Sequence, residues 1–307
     1  MSEADAVKSW PWERKSWANP FWPITQKAFM WPFAHTCDAD CPYCFSQKGV
    51  AGQVAAGARW WTDDQAVIAW RNVFDSYGPC YILMSGLEPG EQLGLVGSVL
   101  EYHYAAMATN FTFDADTFRR LIRPDRIELH PTFHPHLWDF NATEFAEKVA
   151  TLQADGYHIP LASLVAYPPY IPRLDEYVAT LKSVVGTVNV APARLCTYRG
   201  KAYPASYTDD ELTVMRQHIP SLYTKKAELP PLNIKRCGAG HVAACILLNG
   251  DIGRCSQVQG MGQQNLMRDG NIKFNNEPLP CGEASCRCAQ LSAFHITDEN
   301  DPEANDE

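Results

Sequence analysis

No apolar run in the 307-residue chain approaches the roughly 18–20 residues of a membrane span. Basic residues are in short supply: 26 Lys and Arg face 35 Asp and Glu, a net charge of -9. A nucleic-acid binder needs a basic face to neutralise phosphates, so the net charge argues against that class. The first fifteen residues mix acids, bases and tryptophans and lack the apolar core of a signal peptide. The expected location is therefore cytoplasmic. No internal repeat is present. With 46% hydrophobic and 20% charged residues the chain reads as a folded globular protein, long enough for one large domain or one domain plus a smaller one.

Cysteine is abundant, with eleven residues. In a reducing compartment disulfides are not the expected use, and the clustering points to metal. Three lie at Cys37, Cys41 and Cys44, and six at Cys237, Cys245, Cys255, Cys281, Cys286 and Cys288. Cys80 and Cys196 stand apart and read as small buried hydrophobes.

The first group is spaced C-x-x-x-C-x-x-C, with Tyr43 just before the last cysteine. Three thiolates this close on one loop suit three irons of a cubic 4Fe–4S cluster, which normally takes four. No fourth cysteine follows nearby, which leaves one iron for a ligand that is not protein. Structural zinc is the alternative, although zinc sites favour closely paired cysteines with a second pair or histidines. The loop resembles the signature of the radical S-adenosylmethionine (radical SAM) enzymes. That resemblance implies that the open iron chelates the amino and carboxylate groups of SAM. It also implies that reductive cleavage yields a 5′-deoxyadenosyl radical, which takes hydrogen from a substrate.

Along the chain, residues 1–27 are rich in Trp and Pro and read as an irregular cover. A strand is expected over Ala28–Phe33, then the cysteine loop and a Gly/Ala-rich link over Gly49–Gly57. Thr62–Asp63–Asp64 has the chemistry of a helix N-cap, with a helix to Phe74. Further strands are expected at Tyr81–Met84, Ala105–Thr109, from Arg126, at Ile159–Ala166 and at Val188–Ala193. Helices fall between them: one ending near His103, then Asp114–Ile122, Ala142–Ala154, Arg173–Val184, and finally Asp209–His218. Strand and helix alternate six times, the pattern of a parallel sheet covered by helices. Six units are too few for a full eight-unit barrel. The resemblance implies an α/β fold, a partial (β/α)6 barrel over 28–220, with ligands at the carboxyl ends of the strands as in other parallel α/β folds.

Ser85–Gly86–Leu87–Glu88–Pro89, after the second strand, resembles the family's G-G-E-P turn, although Ser85 and Leu87 break the double glycine. Glycine permits close backbone approach to a ligand, and a carboxylate complements the SAM ammonium. Ser85, Gly86 and Glu88 are thus candidates, with Tyr43 at the family's adenine-side aromatic position. The fourth strand ends in His130–Pro131–Thr132–Phe133–His134–Pro135–His136, the densest histidine stretch in the chain. Thr132 and His134 are candidates for SAM ribose or substrate. The Arg194–Tyr207 loop, with its tyrosines and basic residues, reads either as a grip on a polar substrate or as a solvated loop.

Residues 230–290 form the second candidate module. Asn249–Gly250 between apolar residues is a strong hairpin signal, expected to bring Cys237 and Cys255 together. The spacing resembles a SPASM/twitch-type module holding one auxiliary 4Fe–4S cluster. Its ligands would be Cys237, Cys255 and two of Cys281, Cys286 and Cys288; zinc is again the alternative. Cys245 remains, either a buried apolar residue or, as in radical SAM epimerases, a thiol that returns hydrogen to a substrate radical. The acidic tail 298–307 reads as solvated.

The expected function is hydrogen abstraction from a carbon of a small polar substrate resembling a sugar, nucleoside or natural product, with epimerisation through Cys245. Dehydrogenation with the auxiliary cluster as electron acceptor and peptide modification are the alternatives, and a metal-stapled scaffold is the non-enzymatic one. The family implies a flavodoxin- or ferredoxin-type electron donor.

Overall fold

The computed structural model describes residues 27–44, 61–194, 196–219, 234–255, 261, 264–280 and 295–297. The Trp/Pro-rich start before Lys27, the Gly49–Gly57 link, Cys281, Cys286, Cys288 and the acidic tail lie outside them.

The elements follow the alternation expected from hydrophobic periodicity. Strand β1 (Ala28–Ala34) is followed by helix α1 (Asp63–Tyr77), β2 (Tyr81–Gly86), α2 (Leu93–Leu100) and β3 (Tyr104–Thr109). Next come α3 (Ala115–Leu121), β4 (Ile127–Phe133), α4 (Ala142–Ala154), β5 (Leu161–Ala166), α5 (Leu174–Lys182) and β6 (Thr187–Pro192). The remainder comprises β7 (Cys196–Tyr198), β8 (Lys201–Tyr203), α6 (Asp209–Arg216), β9 (Ile234–Cys237), β10 (Ala243–Ile246), β11 (Ile252–Gly253), α7 (Leu266–Asp269) and β12 (His295–Thr297).

The main sheet has eight strands in the order β11-β10-β1-β2-β3-β4-β5-β6. Strands β3 to β6 run parallel, β10 runs parallel to β1, and β11 is antiparallel to β10. This mostly parallel α/β sheet is the partial barrel expected, extended by two strands beyond the six units. The hairpin at Asn249–Gly250 is present, but its arms are short, with Cys245 opposite Gly253. Cys237 is not on an arm: it ends β9 and pairs with His295 of β12. The sequence between Cys237 and Ala243 turns on Gly240, at φ +88°, which separates β9 from β10.

The chain divides into two compact units, one within residues 32–60 and 83–229 and the other within 1–31, 61–82 and 230–307. In the second, α1 opens on a capping box: Thr62 accepts from the Gln65 N–H at 3.2 Å and Gln65 Oε1 accepts from the Thr62 N–H at 3.1 Å. Asp63 and Asp64 complement the helix dipole. Ala66, Ala69, Trp70 and Val73, at helical spacing, form its buried stripe. Trp70 meets Phe29 and Trp31 of β1 edge to face.

In the first unit, α4 is capped by Asn141 and buries Ala142, Phe145, Ala146, Val149 and Leu152. Phe145 packs against Phe111 and Phe133. Lys148, on the same helix, donates to the carbonyls of Phe111, at 2.8 Å, and Phe113, fixing the loop after β3.

Candidate functional site

Within the first unit, the chain segments at the carboxyl ends of β1 to β5 are tied to one another. Gly86 ends β2 at φ +128°, and a Cβ there would lie 2.4 Å from the Ala34 carbonyl oxygen. Glycine is therefore required to let the end of β2 press against the end of β1. The next two N–H groups complete the junction: Leu87 donates to Ala34 and Glu88 to Thr36, at 2.8 and 2.9 Å. The turn singled out for its glycine and the cysteine loop are thus backbone neighbours.

Glu88 is 1% exposed. Its Oε1 accepts from the Gly90 N–H and the Thr109 hydroxyl, and its Oε2 from the Asn110 N–H, each at 2.6 Å. Burial nevertheless pushes its carboxyl up to about 7, outweighing these three donors. Its carboxylate joins the turn after β2 to the end of β3.

Asn110 and Thr112 carry the junction on to the cysteine loop. Asn110 Nδ2 and the Thr112 hydroxyl each donate to the Asp38 carboxylate at 2.7 Å. The Ala39 N–H lies 3.4 Å from Cys37 Sγ, and the Cys44 N–H donates to the Cys41 carbonyl at 3.0 Å, closing the loop into a turn. Burial raises the Cys41 thiol to about 12, with further upward pushes from Cys44 and Cys37, and burial raises Cys37 to about 11. Cys37 and Cys44 are thus each within electrostatic reach of Cys41. Among the described residues, however, no three His, Cys, Asp or Glu side chains are set at metal-holding distances.

The β4 end lies over this loop. The Tyr43 hydroxyl is 2.8 Å from His134 Nδ1, with the rings stacked at 5.8 Å. Burial lowers His134 to about 4 and holds Tyr43 above its ordinary value, so the phenol donates to a neutral imidazole. His136 Nε2 lies 3.5 Å from Cys41 Sγ, and its Nδ1 lies 2.7 Å from the Tyr170 hydroxyl. Tyr167 and Tyr170, after β5, close the aromatic ring around Tyr43. Thr132 sits opposite Ser163 of β5 in register, and Ser85 is half-buried at the end of β2.

His130 is drawn elsewhere. It meets the buried Glu128 at 2.5 Å, and His158 meets the other carboxylate oxygen at 2.9 Å. Within the Arg194–Tyr207 stretch, Cys196–Tyr198 and Lys201–Tyr203 pair as the β7–β8 hairpin. The Tyr207 hydroxyl donates to the Ala166 carbonyl and accepts from the Ala193 N–H, tying the ends of β5 and β6.

Sequence reasoning missed Asp38, Asn110, His136 and Tyr170 as parts of this arrangement. Their separations in the chain, from 34 residues between His136 and Tyr170 to 95 between Cys41 and His136, leave no local motif. The available signal was position alone: each follows a parallel strand at its carboxyl end.

In the second unit, Cys245 is buried mid-strand, paired with Met30 and Gly253. Cys237 and Cys255 are both buried. Arg254, beside Cys255, donates to the carbonyls of Ala239, Leu279 and Pro280 at 3.0, 3.1 and 3.2 Å. The Leu279 carbonyl also accepts from the Cys237 N–H. One guanidinium thus gathers the segments that carry Cys237 and Cys255 and the residues just before Cys281.

No family model matches the chain, and no curated protein matches it. Solved structures do. Native anSMEcpe with bound AdoMet matches with a TM-score of 0.50 at 11% identity, covering 78% of each chain. The form with bound AdoMet and Cp18Cys peptide matches with a TM-score of 0.51 at 12% identity, over 78% of this chain and 77% of that one. The likeness is one of fold: a mostly parallel, partial α/β barrel.

Proposed function

We propose that this chain is a radical SAM enzyme that abstracts hydrogen from a carbon of its substrate. The observation that carries the reading is the position of the Cys37–Cys41–Cys44 loop, locked by Gly86 and Asp38 to the carboxyl ends of β1, β2 and β3 in a partial parallel barrel. The donor set fits a cluster. Burial and mutual repulsion disfavour the thiolate at Cys41, and a bound polycation reverses that preference by deprotonating the thiols it coordinates. Cys37, Cys41 and Cys44 would hold three irons, leaving the fourth for SAM. When bound there, such a cluster would supply the electron for reductive cleavage of SAM, the source of a hydrogen-abstracting radical.

The surrounding residues position and shield. Ser85, Gly86 and Glu88 shape the turn proposed for the methionyl end of SAM, with Glu88 acting through the backbone it holds. Tyr43 and His134 form a rigid stacked pair proposed to line the adenosyl side, with Thr132 beside them. Cys237 and Cys255, with two of Cys281, Cys286 and Cys288, are the proposed ligands of an auxiliary cluster in a twitch-type module over 230–290. A flavodoxin- or ferredoxin-type protein is the proposed electron donor, and the barrel is assigned to 28–220.

For the substrate we propose a small polar molecule and redox-neutral epimerisation. Cys245 gives its thiol hydrogen to the substrate radical, and the resulting thiyl takes one electron and one proton, the electron coming from the donor protein. A second reading, peptide modification, is favoured by the peptide held with AdoMet in anSMEcpe. Dehydrogenation is distinguished from both by its need for an electron acceptor rather than a thiol.

The deciding experiment is anaerobic reconstitution followed by incubation with SAM and a strong reductant. About eight irons per chain and formation of 5′-deoxyadenosine are expected. Zinc in place of iron, with SAM intact, would leave a metal-stapled scaffold. Once a substrate is in hand, Cys245→Ala should spare SAM cleavage and abolish epimer formation; unchanged epimer yield would remove Cys245 from the reaction.

A further inference from the structure

His136 contacts a proposed cluster sulfur without being a ligand in the motif. Its Nε2 is 3.5 Å from Cys41 Sγ, within reach of an N–H···S hydrogen bond, while its Nδ1 is 2.7 Å from the Tyr170 hydroxyl. The imidazole lies nearly parallel to the Tyr170 ring, at 12°, and edge-on to Tyr43. Cys41 and Tyr170 are both buried. The ring is thus held on both nitrogens and on two sides.

We infer that His136, oriented by Tyr170, donates a hydrogen bond to the Cys41 sulfur and sets the reduction potential of the cluster held by that loop. The inference rests on the cluster reading proposed above and goes beyond it by assigning a residue that tunes rather than binds.

The direction of the bonds follows from the chemistry of the groups. A metal-bound thiolate has lone pairs and no proton, so the nitrogen facing it must carry the hydrogen. A neutral imidazole then has only Nδ1 left as an acceptor, and the Tyr170 O–H donates to it. Tyrosine here plays the part that carboxylates and carbonyls often play for metal-site histidines, fixing the tautomer and the ring plane. Reduction adds negative charge to the cluster and its sulfurs. A donor aimed at one sulfur therefore stabilises the reduced form more than the oxidised form and raises the potential. His136 would make the first electron easier to accept.

The test is a redox titration of the reconstituted full chain, followed by electron paramagnetic resonance. The signal that changes when SAM is added identifies the cluster with the open iron. His136→Phe keeps a flat ring and removes the donor. Its midpoint should fall, with the reduction equilibrium weakened about tenfold, which for one electron is about 59 mV. His136→Gln keeps an N–H donor and should recover part of the shift. Tyr170→Phe leaves the ring in place but frees the tautomer, and should shift the midpoint the same way by less.

An unchanged midpoint in both His136→Phe and Tyr170→Phe, at wild-type iron content, would overturn the inference alone. If His136→Phe does not load iron, Tyr170→Phe decides in its place: a lowered midpoint supports the inference and an unchanged one ends it. If the wild-type protein gives no SAM-responsive signal, the cluster reading falls and takes the inference with it.

Discussion

Replacing Glu88 separates two forces that oppose each other at one carboxyl group. Three donors end on its oxygens at 2.6 Å, and the side chain is 1% exposed. Glu88→Ala orphans the Gly90 and Asn110 N–H groups and the Thr109 hydroxyl in the interior. Each orphaned buried donor is worth about 1–3 kcal/mol, so a loss of about 3 kcal/mol or more is expected. Glu88→Gln is the sharper probe. Its carbonyl oxygen can keep two of the donors, but its amide then turns an N–H toward a third. It also cannot ionise. The wild-type carboxyl is raised from 4.5 to about 7 by burial. For an acid whose folded value is the higher one, the folded state holds the extra proton between those two values. Stability from this group is therefore present at acid pH and is lost as pH rises toward 7. Integrated from pH 5 to pH 8, that loss is about 2.5 kcal/mol at 1.36 kcal/mol per unit. The assay is urea denaturation of wild type and Glu88→Gln side by side across that range. The stability deficit of the variant should be greatest near pH 5 and shrink by about 2.5 kcal/mol toward pH 8. A deficit that is flat with pH would refute the argument that burial of charge outweighs the three donors. A Glu88→Ala protein within about 1 kcal/mol of wild type would refute the knot itself.

Three further outcomes are expected. Gly86→Ala places a Cβ 2.4 Å from the Ala34 carbonyl in a positive-φ position; it should lower stability by about 2 kcal/mol or more, seen as an earlier urea midpoint. Cys41→Ala should reduce the reconstituted iron content by about four per chain and leave any iron proposed for the Cys237 and Cys255 module in place. Full retention of iron would remove Cys41 from the ligand set. Arg254→Met removes the donor shared by Ala239, Leu279 and Pro280; limited proteolysis should cut faster within residues 237–280, with residues 83–194 cut at the wild-type rate.

Much of the barrel was legible because its helices carry their own punctuation. Ala142–Ala154 begins at an asparagine cap and places its buried residues at helical spacing, so its observed bounds match those expected. The strands β2 to β5 are short apolar runs between such helices, and their ends were expected to within a few residues. The β10 strand was harder to place in the main sheet. Ala243–Ile246 is local in sequence to the Asn249–Gly250 turn, and a hairpin explains it fully at that level. Its parallel pairing with β1 joins residues more than 200 positions apart, and nothing in a four-residue apolar run specifies which sheet edge it will cover. The hairpin was expected to bring Cys237 and Cys255 together; Cys237 lies outside it, at the end of β9, and the chain turns at Gly240, at positive φ, before β10 begins.

The candidate site shows the same division between local and distant information, and it explains what each class of residue does. Spacing singled out the three thiols as candidate ligands, because ligands on one loop must be near one another in sequence. Spacing could not identify what aims them. Asp38 is held by Asn110 and Thr112 from the end of β3, and Cys41 is met by His136 from the end of β4, which Tyr170 holds from the end of β5. Parallel strands make this arrangement available: every crossover returns the chain to the same end of the sheet, so each strand adds one short segment to a common rim. Ligands can then be concentrated on one segment, while their orientation and electrostatic setting are distributed over the others. A change at His136 or Asn110 should consequently alter how the loop behaves without altering how many thiols it offers. That is why a potential, rather than iron content, is the measurement that separates the two kinds of residue.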